Sequence, residues 1–445
     1  MKLMKRMLAL FLGLFLLIGL AACGQPSTTE SDSSSEDETT EETSDTEEET
    51  DEASSEGETV SFMIPDWGAP SDELLAEFEE SSGITVDLQP TSWDDIHNKV
   101  TTAAAGGNAA ADVFEVDWAW MGEFTDAGWL EPLDISQETI DDMPTLETFE
   151  KDGDYYAVPY ANDFRIAFYN EAMFDEAGIE GFPQTWDQLI ADSEAIKEAG
   201  VVDYPVSIPS GAEENSTTTF LWLTMTRSGQ TFNEDGTLDE DATADALALY
   251  EELYAKDLVD PALTNASGMD AYFKITLGEA SAMIGPSSFV NRIESEEDSQ
   301  VVGEVQPGQL PGIDALAENT VPFTEAVGVS AQSENKEAAS ELVKWYTSSE
   351  TQEKLHEELS QNPPRISLLE KLNEEGKMGE HGEVFLDMSQ RVESPFPNGV
   401  PSYYTQMSTV IFNTVNELVT GNLTAEEATD QMVTEVNAIV EAEAE

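Results

Sequence analysis

VPYANDFRIAFYN, residues 158–170, is the stretch on which the fold of this chain turns. Val158-Pro159-Tyr160 is extended, because a residue before proline is pushed out of the helical region. Ile166 to Tyr169 is β-branched and aromatic, which suits a second strand. Between them lies a polar knot of Asn162, Asp163 and Arg165. Asn170 then opens EAMFDEAGI, a helix stopped at Gly178. The stretch is predicted to carry the backbone out of one lobe and into another, with a cleft beside the polar knot.

Upstream, TVSFMI (59–64) alternates Val60, Phe62 and Ile64 as a strand does. Ser71 caps a helix that keeps Leu74, Leu75 and Phe78 on one face, and Ser82-Gly83 closes it. Ile84, Val86 and Leu88 alternate again, residues 94–105 form a second helix, and residues 112–116 a third strand. Strand, helix, strand, helix, strand predicts a parallel sheet. Right-handed crossovers bring the loops after its strands to one edge, where open α/β sheets bind ligands. Downstream the α/β pattern repeats, with a strand over 204–208, helices from Thr185, Thr217 and Ala242, a strand of small residues over 279–285 and a terminal helix over 425–442. EAVGVSA (325–331) and NPPR (362–365) read as two further crossings. One lobe is therefore expected to hold 59–162 plus 326–364, and the other 163–325 plus 365–445.

A chain of 445 residues exceeds what one core supports, ~250–300 residues. Lys2, Lys5 and Arg6 precede an apolar run from Leu8 to Leu20 that is too short to span a membrane, then Ala21-Ala22-Cys23-Gly24. This resembles the lipobox of bacterial lipoproteins, which implies removal of residues 1–22, a lipid on Cys23 and a place on the outer face of the membrane of a Gram-positive-type cell. Cys23, the only cysteine, forms no internal disulfide. Residues 25–58 are Ser, Thr, Glu and Asp without a basic residue, a composition that stays solvated, so 23–58 reads as a tether. Residues 59–445 keep 77 of the 92 acids and 15 of the 18 bases, a net −62. So acidic a body disfavours a nucleic-acid partner. Self-repulsion at that density is screened above ~0.1 M salt, which points to a saline habitat.

Seven motifs stand in one order: SSGITVDLQP (81–90), AAADVFEVDWAWMGEFTDAGWLEPLD (109–134), YNEAMFDEAGI (169–179) with PQTWDQL (183–189), GQTFNEDGTL (229–238), AMIGPSSF (282–289) and VGVSAQSENKEAASELVKWYTSSETQEKL (327–355). Together they resemble family 1 of the bacterial extracellular solute-binding proteins, the maltose- and oligosaccharide-binding receptors of ABC importers. The resemblance spans essentially all of 59–445. It implies a two-lobed periplasmic-binding-protein fold of α/β class (type II), each lobe a mostly parallel sheet flanked by helices, joined by hinge strands. It also implies a monomer that delivers its solute to permease subunits. Two departures stand out: Ile166 occupies a position usually small, and Gly285-Pro286 is followed by Ser287, Ser288 and Phe289 where the maltose receptor carries a stacking tryptophan. The second argues against a long malto-oligosaccharide.

Sugar sites need flat aromatic faces for the C–H side of a ring and planar polar groups for its hydroxyls. The loops on the sheet edge supply Asp66, Trp67, Asp117 and Trp118, and the crossing supplies Asp163 and Arg165. Glu213, Glu214 and Asn215 follow a strand end, Ser287 and Ser288 another, and Tyr403 and Tyr404 stand near a place where the maltose receptor stacks a tryptophan. Trp120 and Trp129 read as core. Each has a bland alternative: a surface aromatic, a solvated loop, or an arginine paired with one of many acids.

Catalysis finds little support. A carboxylate pair is expected by chance among 77 acids. His97, His356 and His381 are far apart, with no metal spacing, nucleophile elbow or phosphate loop. Residues 233–236, NEDG, lack the first and twelfth ligands of a calcium loop and read as a turn. The expected function is therefore capture of a mono- or oligosaccharide by hinge closure, with no cofactor. Receptors for a glycerol-phosphate or peptide, a cell-surface glycan hydrolase, and an adhesin are the alternatives.

Overall fold

The structure, a computed structural model, describes residues 58–443. The leader, Cys23 and the acidic tether fall outside the described residues. The chain opens with β1 (Thr59–Ile64), α1 (Asp72–Ser82), β2 (Thr85–Pro90), α2 (Trp93–Ala105) and β3 (Val113–Asp117). Then come β4 (Ala157–Ala161) and β5 (Arg165–Asn170) on either side of the polar knot. The second half of the pattern is α3 (Glu214–Ser228), α4 (Glu240–Ala255), α5 (Gly268–Thr276), β7 (Ala282–Pro286) and β8 (Val305–Gly308), with the two-residue β6 (Val206–Ser207) before α3. It closes with β9 (Glu325–Val329), α6 (Lys336–Tyr346), α7 (Ser349–Leu359), α8 (Tyr404–Val419) and α9 (Ala425–Glu443).

These strands form two sheets. The first has the order β2-β1-β3-β9-β4, the second β8-β5-β7-β6. Residues 162–164 lead from the first to the second, and the residues before β9 lead back. In each sheet one strand runs against all its neighbours: β9 opposes β3 and β4, and β5 opposes β7 and β8. The cause is the crossing itself. A strand arriving from the other lobe enters at the cleft edge, where the parallel strands end, and must run backwards. So Glu325, the first residue of β9, lies opposite Asp117 and Ala161 at the ends of β3 and β4. Arg165, the first of β5, lies opposite Pro286 at the end of β7. The third crossing passes beside the first, where Asn162 N donates to Asn362 O at 2.7 Å.

The alternation in β1 divides the first lobe's core. Val60, Phe62 and Ile64 face Leu74 and Phe78 of α1 and Leu342, Val343 and Leu355 of α6 and α7. Met63, on the other face, joins Phe114, Ile96 and Val100 under α2. Each such large side chain contributes roughly 1.5–3 kcal/mol when fully buried. Ser71 caps α1 by accepting from Leu74 N, and Gly83 ends it at φ 76°. In the second lobe α3, α4, α8 and α9 pack as helices against one another, with Trp186 and Trp222 stacked at 6.0 Å. Among the described residues no helix is long and apolar enough to cross a membrane.

Candidate functional site

A cavity of about 880 Å³ opens along the strand ends between the two sheets. The first lobe contributes Asp66 and Trp67 after β1, Ser92, Trp93 and His97 at the start of α2, and Asp117 at the end of β3 with Trp118 just after it. The second contributes Glu213, Glu214 and Asn215 at the start of α3, Met269 and Tyr272 on α5, and Tyr404 at the start of α8. Asp163, Arg165, Phe323 and Glu325 come from the crossings.

The loops are held by their own caps. Asp117 accepts from Ala119 N at 2.8 Å, which turns the chain sharply after β3. Glu213 accepts from Asn215 N, capping α3. Gly268 lets α5 approach α3 closely, since a Cβ there would stand 2.2 Å from Cβ of Asn215. Gly122 does the same between the lobes, because a Cβ would meet Val400 O at 2.2 Å.

Arg165 is buried to 4 % exposure, and its Nη1 donates to Asp163 Oδ2 at 2.9 Å. Its guanidinium lies 4.3 Å from the Phe323 ring, and its Nε has no hydrogen-bond partner among the described residues. Asp163 Oδ1 also accepts from Ser287 Oγ at 3.2 Å. Glu214 accepts from Ser408 Oγ at 2.6 Å and from the Tyr404 hydroxyl. Glu325 Oε2 accepts from Trp67 Nε1 and from Tyr160 OH, both at 2.9 Å.

Among the described residues, six carboxylates share this wall with one arginine that is already paired. Burial pushes Asp117 up to about 8, and Glu325 and Glu214 add to the rise. Burial likewise raises Glu214 and Glu325 to about 7. Beneath them Glu115 is fully buried beside the Tyr160 hydroxyl. Burial and then Glu325 hold it well above the carboxylate range. Asp117, Glu214 and Glu325 therefore hold a proton more readily than ordinary carboxyls, and a protonated carboxyl donates as well as accepts. Among the described residues no group of three His, Cys, Asp or Glu could hold a metal ion.

Of the sequence-derived candidates, Asp66, Trp67, Asp117, Trp118, Asp163, Arg165, Glu214, Asn215 and Tyr404 share this cavity. Ser287, Ser288 and Tyr403 stand outside its wall. Ser287 is fully buried behind Asp163, and Ser288 is an exposed residue whose N donates to Asp163 Oδ1 at 3.4 Å. Tyr403 faces a separate pocket with Phe232 and Phe396, because successive residues at a helix start point in different directions. Trp118 reaches the cavity, but its ring is enclosed by Phe323 at 5.0 Å, Tyr404 at 4.9 Å and Phe396 at 6.1 Å. It is 5 % exposed, so it offers an edge and not an open stacking face. Trp120, read as core, is buried against Trp93 at 5.1 Å but also lines the cavity, while Trp129 is only half-buried against Phe124. Trp93 and His97 were missed, although the edge rule that selected the loops after β1 and β3 covers the one after β2. Glu325, Phe323, Met269 and Tyr272 gave no signal in sequence.

The model of the bacterial extracellular solute-binding protein family matches residues 64–353. A binding protein of Brucella abortus is 28% identical over 288 residues, covering 63% of this chain and 69% of its own. The diacetylchitobiose binding protein DasA of Streptomyces coelicolor is 25% identical over 273 residues, 59% of this chain and 55% of its own. Among solved structures, maltose-bound MalE3 of T. maritima superposes with a TM-score of 0.73 at 22% identity, over 86% of this chain and 99% of that one.

Proposed function

The chain belongs to the bacterial extracellular solute-binding proteins, and from that premise we propose that its cleft captures a sugar or polyol for an ABC importer. The observation that carries this reading is the composition of the cavity wall. An indole that is 48 % exposed, Trp67, stands in the same slot as planar carboxylates and an amide drawn from both lobes. That pairs one apolar ring face with many hydroxyl partners. The volume of about 880 Å³ lies within the range of small-molecule sites, ~300–1,000 Å³. The solved neighbour carries maltose and a relative is named for diacetylchitobiose, which supports a saccharide here. A phosphorylated solute would meet six carboxylates and a single arginine bound to Asp163, so it is disfavoured.

In this mechanism the solute first rests on Trp67 and Trp93. Asp163 and Arg165 in the crossing, and Glu214 and Asn215 on α3, complete their bonds only when the lobes approach. Solute contacts available only in the closed form shift the population toward it. The closed form is what the permease reads. The lipid on Cys23 and the acidic tether keep the receptor on the outer face of the membrane, and lobe boundaries near residues 162, 325 and 364 serve as its hinge. Nothing in this sequence of events breaks a bond in the solute.

A panel of maltose, diacetylchitobiose, D-mannitol and cellobiose, screened by thermal shift and then titration calorimetry, tests the reading. A true solute at 100 times its dissociation constant adds ~2.7 kcal/mol of stability. If no sugar or polyol binds while short peptides do, the saccharide reading fails. Release of reducing ends from a bound glycan would transfer the chain to the hydrolases.

A further inference from the structure

An indole that is 48 % exposed would ordinarily turn freely, yet Trp67 is fastened at two points. Its Nε1 donates to Glu325 Oε2 at 2.9 Å, across 258 positions of sequence. Its carbonyl oxygen accepts from Gln361 Nε2 at 2.7 Å, across 294 positions. Glu325 opens β9, so it ends the second crossing, and it is steadied by Tyr160 OH. Gln361 immediately precedes the third crossing, next to Asn362, which receives the first crossing's Asn162 N–H. The following residue of the loop, Gly68, is tied through its carbonyl to the buried Tyr346 hydroxyl. The ring's own loop supplies none of these partners.

We propose that Glu325 and Gln361 are positioning residues, a latch that sets the Trp67 ring in the cleft and ties it to the ends of the second and third crossings of the hinge. The ring then follows the crossings and not its own loop. An exposed side chain held in one place binds a rigid ring better, because its rotamer freedom is lost before the ligand arrives. The role of the latch in recognition rests on the sugar reading above, but the latch itself is testable with no sugar present.

The test uses the full chain with indole nitrogens labelled, its eight tryptophans giving eight N–H signals. Trp67→Phe assigns the signal of interest. In Glu325→Ala, solvent exchange of the Trp67 indole proton should quicken about tenfold, the factor that corresponds to a hydrogen bond of ~1.4 kcal/mol. The other seven signals should hold. Glu325→Gln, which keeps an acceptor oxygen, should restore slow exchange. Gln361→Ala should move the Trp67 signal and no other, and it keeps the test decisive if Glu325→Ala does not fold. Unchanged exchange in both variants, a shift of all eight signals together, or no rescue by glutamine would overturn the latch. Sugar binding with a free Trp67 ring would remove the latch alone, and a latched ring with no sugar bound would remove the sugar reading alone.

Discussion

Asp163→Ala should destabilise the chain by about 2–4 kcal/mol, and the structure shows why. The Arg165 guanidinium is 4 % exposed and, among the described residues, has one carboxylate partner, Asp163, at 2.9 Å. Removing one member of a buried pair costs ~3–5 kcal/mol, because the remaining charge is uncompensated. Asp163 itself is 22 % exposed, so water relieves part of that cost. The Phe323 ring at 4.3 Å returns about 1–2 kcal/mol through its face, but that contact exists in the parent chain too and offsets nothing new. Chemical denaturation of the parent, Asp163→Ala, Arg165→Met and the double variant closes the cycle. The double variant should recover at least half the loss, since no charge is left stranded at β5. A loss below ~0.5 kcal/mol for Asp163→Ala, or a double variant no better than the single, would refute the reasoning.

Four further outcomes are expected. Trp67→Ala should weaken the panel sugar that binds best by ~1–3 kcal/mol, read by calorimetry, with little change in melting temperature, because the ring is half exposed. Gly122→Ala should lower the melting temperature or separate the lobes, since its Cβ would stand 2.2 Å from Val400 O, and an unchanged scattering profile and melting point would deny that close approach. Asp117, raised to about 8, binds its proton more tightly in the folded chain than in the unfolded one. Its contribution is thus a penalty that grows as pH rises from about 4 to about 8, and stability falls over that window. Asp117→Asn, which can still cap Ala119, should flatten the fall, and a parallel pH curve would contradict it. The melting temperature of the body should also rise from low to molar NaCl, as its excess of 77 acids over 15 bases is screened.

The framework of the first lobe was legible because its signals are local. Alternation in β1, the Ser71 cap and Gly83 at positive φ each act within a few residues. The crossing at 158–170 was legible for the same reason. Loops on the cleft edge could also be read, since strand polarity fixes where they end. Side-chain direction could not. Tyr403 and Tyr404 are adjacent and alike in chemistry, yet one faces a different pocket and the other donates to Glu214. Trp118 lies at the cleft as predicted, but Phe323, Phe396 and Tyr404 from distant segments enclose its ring. Glu325 looked like the start of one more strand, and only its pairing with Asp117 turns it toward Trp67. Helices α5 and α8 were overlooked, although Tyr404, Met407, Ile411, Val415 and Leu418 recur along α8 at helical spacing. The relevant contacts, Gly268 against Asn215 above all, are invisible until both helices are in place.

Capture by closure is most directly tested by small-angle X-ray scattering of the full chain, with and without saturating amounts of the panel sugar that gives the largest thermal shift. Closure of two lobes around a solute requires the radius of gyration of the body to fall on binding, and to stay at its unliganded value when Trp67→Ala with Asp163→Ala removes partners in the first lobe and in the crossing. A sugar that binds tightly with no contraction, or that binds the double variant as well as the parent, would contradict capture between the lobes.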